Sequence, residues 1–285
     1  MTASIVAPIK INIALHVGPP RRDGYHPVDT LCIFPAIGDV LAYEPDGQPG
    51  IDLSGDFAAD LQGEDHKRNL VWRAFSILGV PPEGRFLLVK TTPVASGVGA
   101  GTADGCAAML LLNDVLDLDF DADQLTHMAL GLGADGPVCM AAQIHGGGLW
   151  RAEGIGERLT WEGRIEPVAI VVANPGFPVP TGQVFKAYDR EPTPLSRAHR
   201  SKGEGLHDTL AKTRNDLEPP AIALRPGIAG LRDLMAAQPG ARGTRMSGSG
   251  GTCYALHASR ASADRAAVSL QSSGFWAESA FILPG

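Results

Sequence analysis

Cysteine is scarce and scattered. Cys32, Cys106, Cys139 and Cys253 are the only four in 285 residues, and no two make a C-x-x-C pair. That spacing excludes zinc ribbons and thioredoxin-type redox chemistry, and suits buried thiols in a reducing compartment. Positive charge is in deficit, with 24 Lys and Arg against 31 Asp and Glu and a formal charge of -7. The basic footprint of a nucleic-acid binder is missing, so no nucleic-acid partner is expected. Long apolar runs are missing too, since none approaches the ~20 residues of a membrane-spanning helix. The opening MTASIVAPIKINIAL has no basic segment before its apolar residues and is interrupted by Lys10 and Asn12, so it does not read as a signal peptide. The expectation is a cytoplasmic protein without a membrane partner; the oligomeric state stays open. Several catalytic motifs are also lacking. The eight histidines show no HExxH spacing, and DLDFDAD lacks the EF-hand pattern, so no catalytic metal cage is expected, and whether a metal carried by a ligand gains a protein donor stays open. HGGG at 145–148 resembles a lipase oxyanion loop, but no G-x-S-x-G elbow accompanies it.

What is present suits a packed α+β protein. The chain is 44% hydrophobic and 19% charged, enough for a real core, and its 35 Gly and 22 Pro disfavour a helical bundle. Ile9, Ile11, Ile13, Leu15 and Val17 alternate with polar or small residues. This period of two predicts a half-buried strand carrying Lys10 and Asn12 on its other face. TLCIFPAI, DVLAYEP, RFLLVKTT and PVAIVVANP read as further strands, and FWAESAFIL as a closing one. Helical spacing runs from Asn69 to Leu78, through CAAMLLLNDVL, and from Asp121 or Asp123 to about Leu132. Further helices are expected from Thr181, as cap, to Tyr188, over 206–224 with an interruption at Pro219–Pro220, over 226–237, and over 261–272. A glycine hairpin is expected at 145–148 and a polar loop over 190–205. Strands pair between helices instead of alternating strictly with them, which favours mixed and antiparallel sheets. At roughly 100–200 residues per domain the length allows one or two. A division into 1–155 and 156–285 is expected.

The strongest local signal is PVASGVGAGTADG at 93–105, between a strand and a helix. Gly97, Gly99 and Gly101 let a ligand approach the backbone, and the following helix offers unpaired N–H groups. It reads either as an anion site for a phosphate chain or as a flexible turn. It is neither a Walker A loop nor G-x-G-x-x-G, because Asp104 stands at the last glycine position. A second glycine loop, MSGSGG at 246–251, lies between two strand-like segments and suggests a cleft closed from both sides. Asp135, in LGADGPVCM, reads either as a turn or cap residue or as a carboxylate facing that cleft. In the second case Lys10 would be its cation, orienting a substrate hydroxyl.

Taken in order, these motifs resemble the GHMP kinases. The resemblance rests on APIKINIALHV with RRDGYHPVDTL, NLVWRA, PVASGVGAGTAD, LGADGPVCM and RMSGSGGTCYAL, and runs from Pro8 to about Leu256. DGYH is its most specific part, matching the branch that acts on a cytidine-diphosphate-linked methylerythritol in the non-mevalonate isoprenoid precursor pathway. The resemblance implies a two-lobed fold with ATP and substrate between the lobes, Mg²⁺ arriving with ATP, and phosphorylation of the 2-hydroxyl of that small-molecule substrate. It makes Lys10 and Asp135 catalytic. It places the nucleotide on Asn69, Lys90, Pro93, Val94, Ala95, Ser96, Gly97, Val98, Gly99, Ala100, Gly101, Thr102 and Ala103. It places the substrate on Asn12, Tyr25, His26, Thr181 and Phe185, with Tyr25 and Phe185 sandwiching the cytosine. The chain departs from the usual GLGGGSSD at GVGAGTAD, where Thr102 keeps a hydroxyl and Ala103 has none. Ile9 replaces a common alanine at a position expected to face the core. Homoserine- or mevalonate-type kinases, a related ATP-dependent decarboxylase and a non-catalytic nucleotide-binding module are the alternatives.

Overall fold

The alternating run at 9–17 is a strand, but water reaches neither of its faces. In a computed structural model describing residues 3–63, 65–201 and 203–285, the segment divides into β1 (Ala3–Pro8) and β2 (Ile11–Val17), and every β2 residue is buried. Ile9, Ile11 and Ile13 pack in a core between two sheets, while Asn12 and His16 are buried on polar partners. Period-two patterning shows that two faces differ, not that one of them is wet.

The other strands are β3 (Val28–Ile33), β4 (Gly38–Glu44), β5 (Gly50–Ser54), β6 (Arg85–Val89), β7 (Leu149–Gly154), β8 (Arg158–Gly163), β9 (Ala169–Asn174), β10 (Ala241–Met246), β11 (Cys253–His257) and β12 (Trp276–Phe281). The helices are α1 (Leu70–Leu78), α2 (Ala100–Val115), α3 (Ala122–Met128), α4 (Gly136–His145), α5 (Thr181–Tyr188), α6 (Leu206–Lys212), α7 (Glu218–Leu224), α8 (Gly227–Ala236) and α9 (Arg260–Ser272). Three four-stranded sheets run β1-β4-β6-β5, β2-β3-β7-β8 and β10-β11-β9-β12. Only the β5–β6 pair is parallel among the named strands, so the fold is α+β with mixed and antiparallel sheets. One core joins the first sheet to α1, α2 and α4, a second joins the last sheet to α8 and α9, and a third lies between the other faces of the two sheets carrying β2 and β9. All four cysteines are free and buried.

Several local expectations are corrected. Pro219 and Pro220 do not interrupt a helix; they sit in the first turn of α7, where a missing N–H costs no hydrogen bond. The break comes earlier, over 213–217, where the Asn215 side chain donates to the Met246 and Gly248 carbonyls. His145 ends α4, and Gly146, left-handed at φ +73°, caps it, so 145–148 is a helix terminus leading into β7. α3 stops at Met128 and tightens to 3-10 over Ala129–Leu132. Thr181 does not cap α5, because Pro180 holds the cap position and the Thr181 hydroxyl bonds Ser249. The described part of 190–205 is irregular as expected, yet it is fastened down: buried Arg151 bonds Asp29, Glu162 and the Ala198 carbonyl, and the Ala198 N–H donates to Asp29.

Candidate active site

The first glycine loop turns into helix inside its own motif. α2 starts at Ala100 with Gly99 at its N-cap, left-handed at φ +65°, so Gly101, Thr102 and Ala103 form the first helical turn. Gly101 therefore needs no positive φ, and a Cβ there meets only Leu70 Cδ1 at 3.9 Å. The steric demand lies at Gly97 instead. Its φ is +79°, and a Cβ would overlap the Gly250 carbonyl oxygen and approach the Ser247 carbonyl at 2.9 Å. Gly248, at φ +56°, is pressed against the Gly97 carbonyl in return. The two glycine loops thus meet backbone to backbone, tied further by the Thr252 N–H donating to the Ser96 carbonyl at 3.2 Å.

Lys10 lies in the link between β1 and β2, with its own N–H donating to the Val98 carbonyl at 2.8 Å. Its ammonium donates to Asp135 at 2.9 Å and to Asn12 at 3.0 Å. Asn12 is fixed in turn: its amide donates to Thr30 Oγ1 at 2.8 Å, and Thr30 donates to the Ala14 carbonyl at 2.6 Å. Burial alone would pull the Lys10 ammonium down, but Asp135 holds it above its ordinary value. Asp135 occupies the cap position of α4 and makes no cap bond; its carboxylate turns to Lys10 and is 42% exposed. The capping role is thereby excluded, and an open carboxylate beside a buried ammonium remains. Beside the pair, burial pushes the Cys32 thiol up to about 11, so it stays protonated.

Lys10, Asn12, Thr30 and Asp135 line one cavity of about 870 Å³. Every predicted site residue lines it except Pro93, Val98 and Ala103, which are buried beside it. Ala103 is fully buried in the helical core, so the hydroxyl missing there would have faced packing, whereas Thr102 lines the cavity. Ile9 is fully buried, as expected. Asn69 caps α1, accepting from the Val71 N–H at 3.0 Å, and lies at the cavity's edge. Lys90 is 2% exposed and donates to both Asp39 and Asp104 behind the first loop. At the far end Tyr25 is 58% exposed, and Phe185 packs against the His26 ring with centroids 4.7 Å apart. His26 Nε2 meets Asp189 at 2.7 Å. Sequence reasoning missed Thr30, Asp104 and Asp189 and named the second glycine loop without singling out Gly248 and Ser249; all five residues line the cavity. For Gly248 and Ser249 the loop composition was the signal; Asp189 sits in a polar stretch that carries none.

The sequence falls into place among known proteins. The family described as GHMP kinases N terminal domain matches residues 69–147, and GHMP kinases C terminal matches 195–274. A 4-diphosphocytidyl-2-C-methyl-D-erythritol kinase of Caulobacter vibrioides is 40% identical over 284 residues, covering 95% of each chain. One from Cereibacter sphaeroides is 43% identical over 273 residues, covering 94% of each. The chain belongs to the GHMP kinase family. A crystal structure of 4-(cytidine 5'-diphospho)-2C-methyl-D-erythritol kinase superposes with a TM-score of 0.78 at 31% identity, covering 99% of this chain and all of that one. A homoserine kinase from Cytophaga hutchinsonii gives 0.67 at 15% identity over 99% of this chain and 95% of that one, a likeness of fold.

In this GHMP kinase the meeting of the two loops gives a discriminating test. Gly97→Ala is expected to cost about 1–2 kcal/mol from its left-handed backbone alone, with the carbonyl overlap adding to it. Gly101→Ala is expected to fold normally. Thermal unfolding of the two variants checks this; equal melting temperatures would show that the loops yield freely.

Proposed function

We propose that this GHMP kinase transfers the γ-phosphoryl group of ATP to the 2-hydroxyl of 4-diphosphocytidyl-2-C-methyl-D-erythritol, in the non-mevalonate route to isoprenoid precursors. The observation that carries the reading is the Lys10–Asp135 pair, set between the glycine loops and the Tyr25–His26–Phe185 end of one cavity. The relatives' names supply the substrate. A cytoplasmic setting, where the buried thiols stay reduced, and the division into 1–155 and 156–285 belong to the same reading.

The nucleotide lies against Asn69 and the first loop, with α2's first-turn N–H groups toward its phosphates and Lys90 bracing the loop from behind. Tyr25, His26, Phe185, Asn12 and Thr181 hold the cytidine-linked alcohol with its hydroxyl toward Asp135. Asp135 takes the hydroxyl proton as the new P–O bond forms and the bond to the β-phosphate oxygen breaks, releasing ADP. Lys10 holds the Asp135 carboxylate in place through its ammonium and steadies charge on the transferring group. Such a transfer depends on positioning and charge stabilisation more than on covalent chemistry. The donors present fit a magnesium ion carried by the triphosphate: the Thr102 hydroxyl and the Asp135 carboxylate line the cavity, and Mg²⁺ is commonly held by one or two carboxylates together with substrate phosphates. When bound, it neutralises negative charge on the phosphates.

Turnover with Mg-ATP across this alcohol, homoserine and mevalonate tests the reading. Phosphorylation of homoserine or mevalonate with this substrate untouched would overturn it. Tyr25→Ala is expected to weaken the cytidine substrate about 5- to 150-fold, the value of one base–aromatic stack, with ATP affinity little changed. Equal losses for both ligands would assign Tyr25 to structure instead.

A further inference from the structure

His26 has one ring nitrogen engaged and one free. Nε2 faces Asp189 Oδ1 at 2.7 Å, while Nδ1 makes no hydrogen bond to a described residue. Both residues line the main cavity. Phe185 packs on the ring at 4.7 Å between centroids, and Tyr188 meets it edge-on at 6.1 Å, so the imidazole is held on two sides. Asp189 directly follows α5, the helix that carries Phe185, and its N–H donates to the Phe185 carbonyl at 2.9 Å. The aromatic wall and the carboxylate therefore move as one piece.

We propose that Asp189 is a positioning residue that fixes the ring tautomer of His26 and so makes the site choose cytosine over uracil. This rests on reading the Tyr25–His26–Phe185 end of the cavity as the nucleobase site. An ionised carboxylate only accepts hydrogen bonds. Opposite Asp189, a neutral imidazole must therefore carry its hydrogen on Nε2, which leaves a lone pair on Nδ1. A lone pair takes a hydrogen from the exocyclic amino group of cytosine. The uracil carbonyl at the same ring position offers only another lone pair and is repelled. With the opposite tautomer the preference would reverse, because Nδ1–H would donate to the carbonyl. The selection is thus written in Asp189, one residue removed from the base.

The test compares the cytidine-diphosphate-linked alcohol with its uridine counterpart, by kcat/KM, in wild type and Asp189→Asn. An amide presents either its oxygen or its nitrogen to Nε2, so the variant admits both tautomers. Wild type is expected to favour the cytidine compound by about 100-fold or more, as for a site built around one substrate hydrogen bond. Asp189→Asn is expected to reduce that preference at least about tenfold, the worth of one net hydrogen bond, acting mainly through KM. A preference unchanged within about twofold overturns the proposal. A wild type that turns over neither compound overturns the reading of the site itself. The ring nitrogens of His26 in the wild-type protein, followed by ¹⁵N NMR at about pH 8.5, give a measurement independent of any variant's folding. Hydrogen on Nε2 with a bare Nδ1 is expected; hydrogen on Nδ1 overturns the proposal.

Discussion

Asp135→Asn is expected to lower kcat by about two orders of magnitude or more, with folding and nucleotide affinity close to wild type. Asparagine keeps the size of the side chain and can still accept from Lys10, but it cannot take a proton. Nothing local resists the change, since Asp135 makes no cap bond and is partly exposed. Lys10→Met is expected to lower kcat similarly. Lys10 is 3% exposed and bridges Asp135 and Asn12, so its removal leaves the carboxylate without its cation. The double variant should lose far less than the product of the two single losses, because residues acting as a unit are not additive. Steady-state kinetics on the three variants, with nucleotide binding measured separately, decide the matter. If Asp135→Asn keeps more than about a tenth of the activity, proton abstraction is not limiting, and catalysis rests on positioning alone, as a loose phosphoryl-transfer transition state permits.

That pair was legible in the sequence because each residue sits in a motif, whereas its supports were not. Asn12 was visible through its spacing from Lys10, but Thr30, which fixes the Asn12 amide, is an ordinary residue of β3. The first glycine loop was legible as composition, yet composition did not show which glycine bears the constraint. Helix begins at Ala100, which frees Gly101, and the opposing loop, about 150 residues away, is what constrains Gly97. The strands show the same division. β9 announces itself through a buried apolar run, while β8 alternates weakly and is largely exposed, so nothing in its composition separates it from loop. Pro219–Pro220 misled because proline breaks a helix interior but suits a first turn, and only the tertiary ties of Asn215 decide which position they hold.

Lys90→Met is expected to destabilise the fold by about 3–5 kcal/mol, the usual cost of removing one partner from a buried ionic group. Three segments meet at this lysine: Asp39 from β4, Asp104 from α2 and Lys90 from the residue that follows β6. All three are at most 2% exposed. Asp39 is well supplied with donors, accepting from the Thr91 and Thr92 N–H groups at 2.7 and 3.0 Å and from the Thr92 hydroxyl at 2.7 Å. Among the described residues Asp104 has Lys90 alone as hydrogen-bond donor, and its Oδ1 has no partner. Burial, against the pull of Lys90 and with Asp39 adding to it, pushes the Asp104 carboxyl up to about 7. One ammonium between two carboxylates carries a net negative charge inside the protein, and a proton on Asp104 removes it. The folded protein keeps a proton that the unfolded chain, with its ordinary carboxylate, gives up near pH 4. This contribution is complete below about pH 4 and is lost as the pH rises through about 7. His16 and His257, lowered by burial, act in the opposite sense, so the informative quantity is the difference between wild type and Asp104→Asn. Thermal unfolding at about pH 5.5 and about pH 8.5 should show wild type losing more stability than Asp104→Asn on raising the pH. Equal changes in the two proteins would mean that Asp104 is ionised throughout, with Lys90 alone setting its charge. Because Asp104 stands in the same helical turn as Thr102 and the loop's last glycine, Lys90→Met is also expected to weaken nucleotide binding, which isothermal titration of the folded variant would measure.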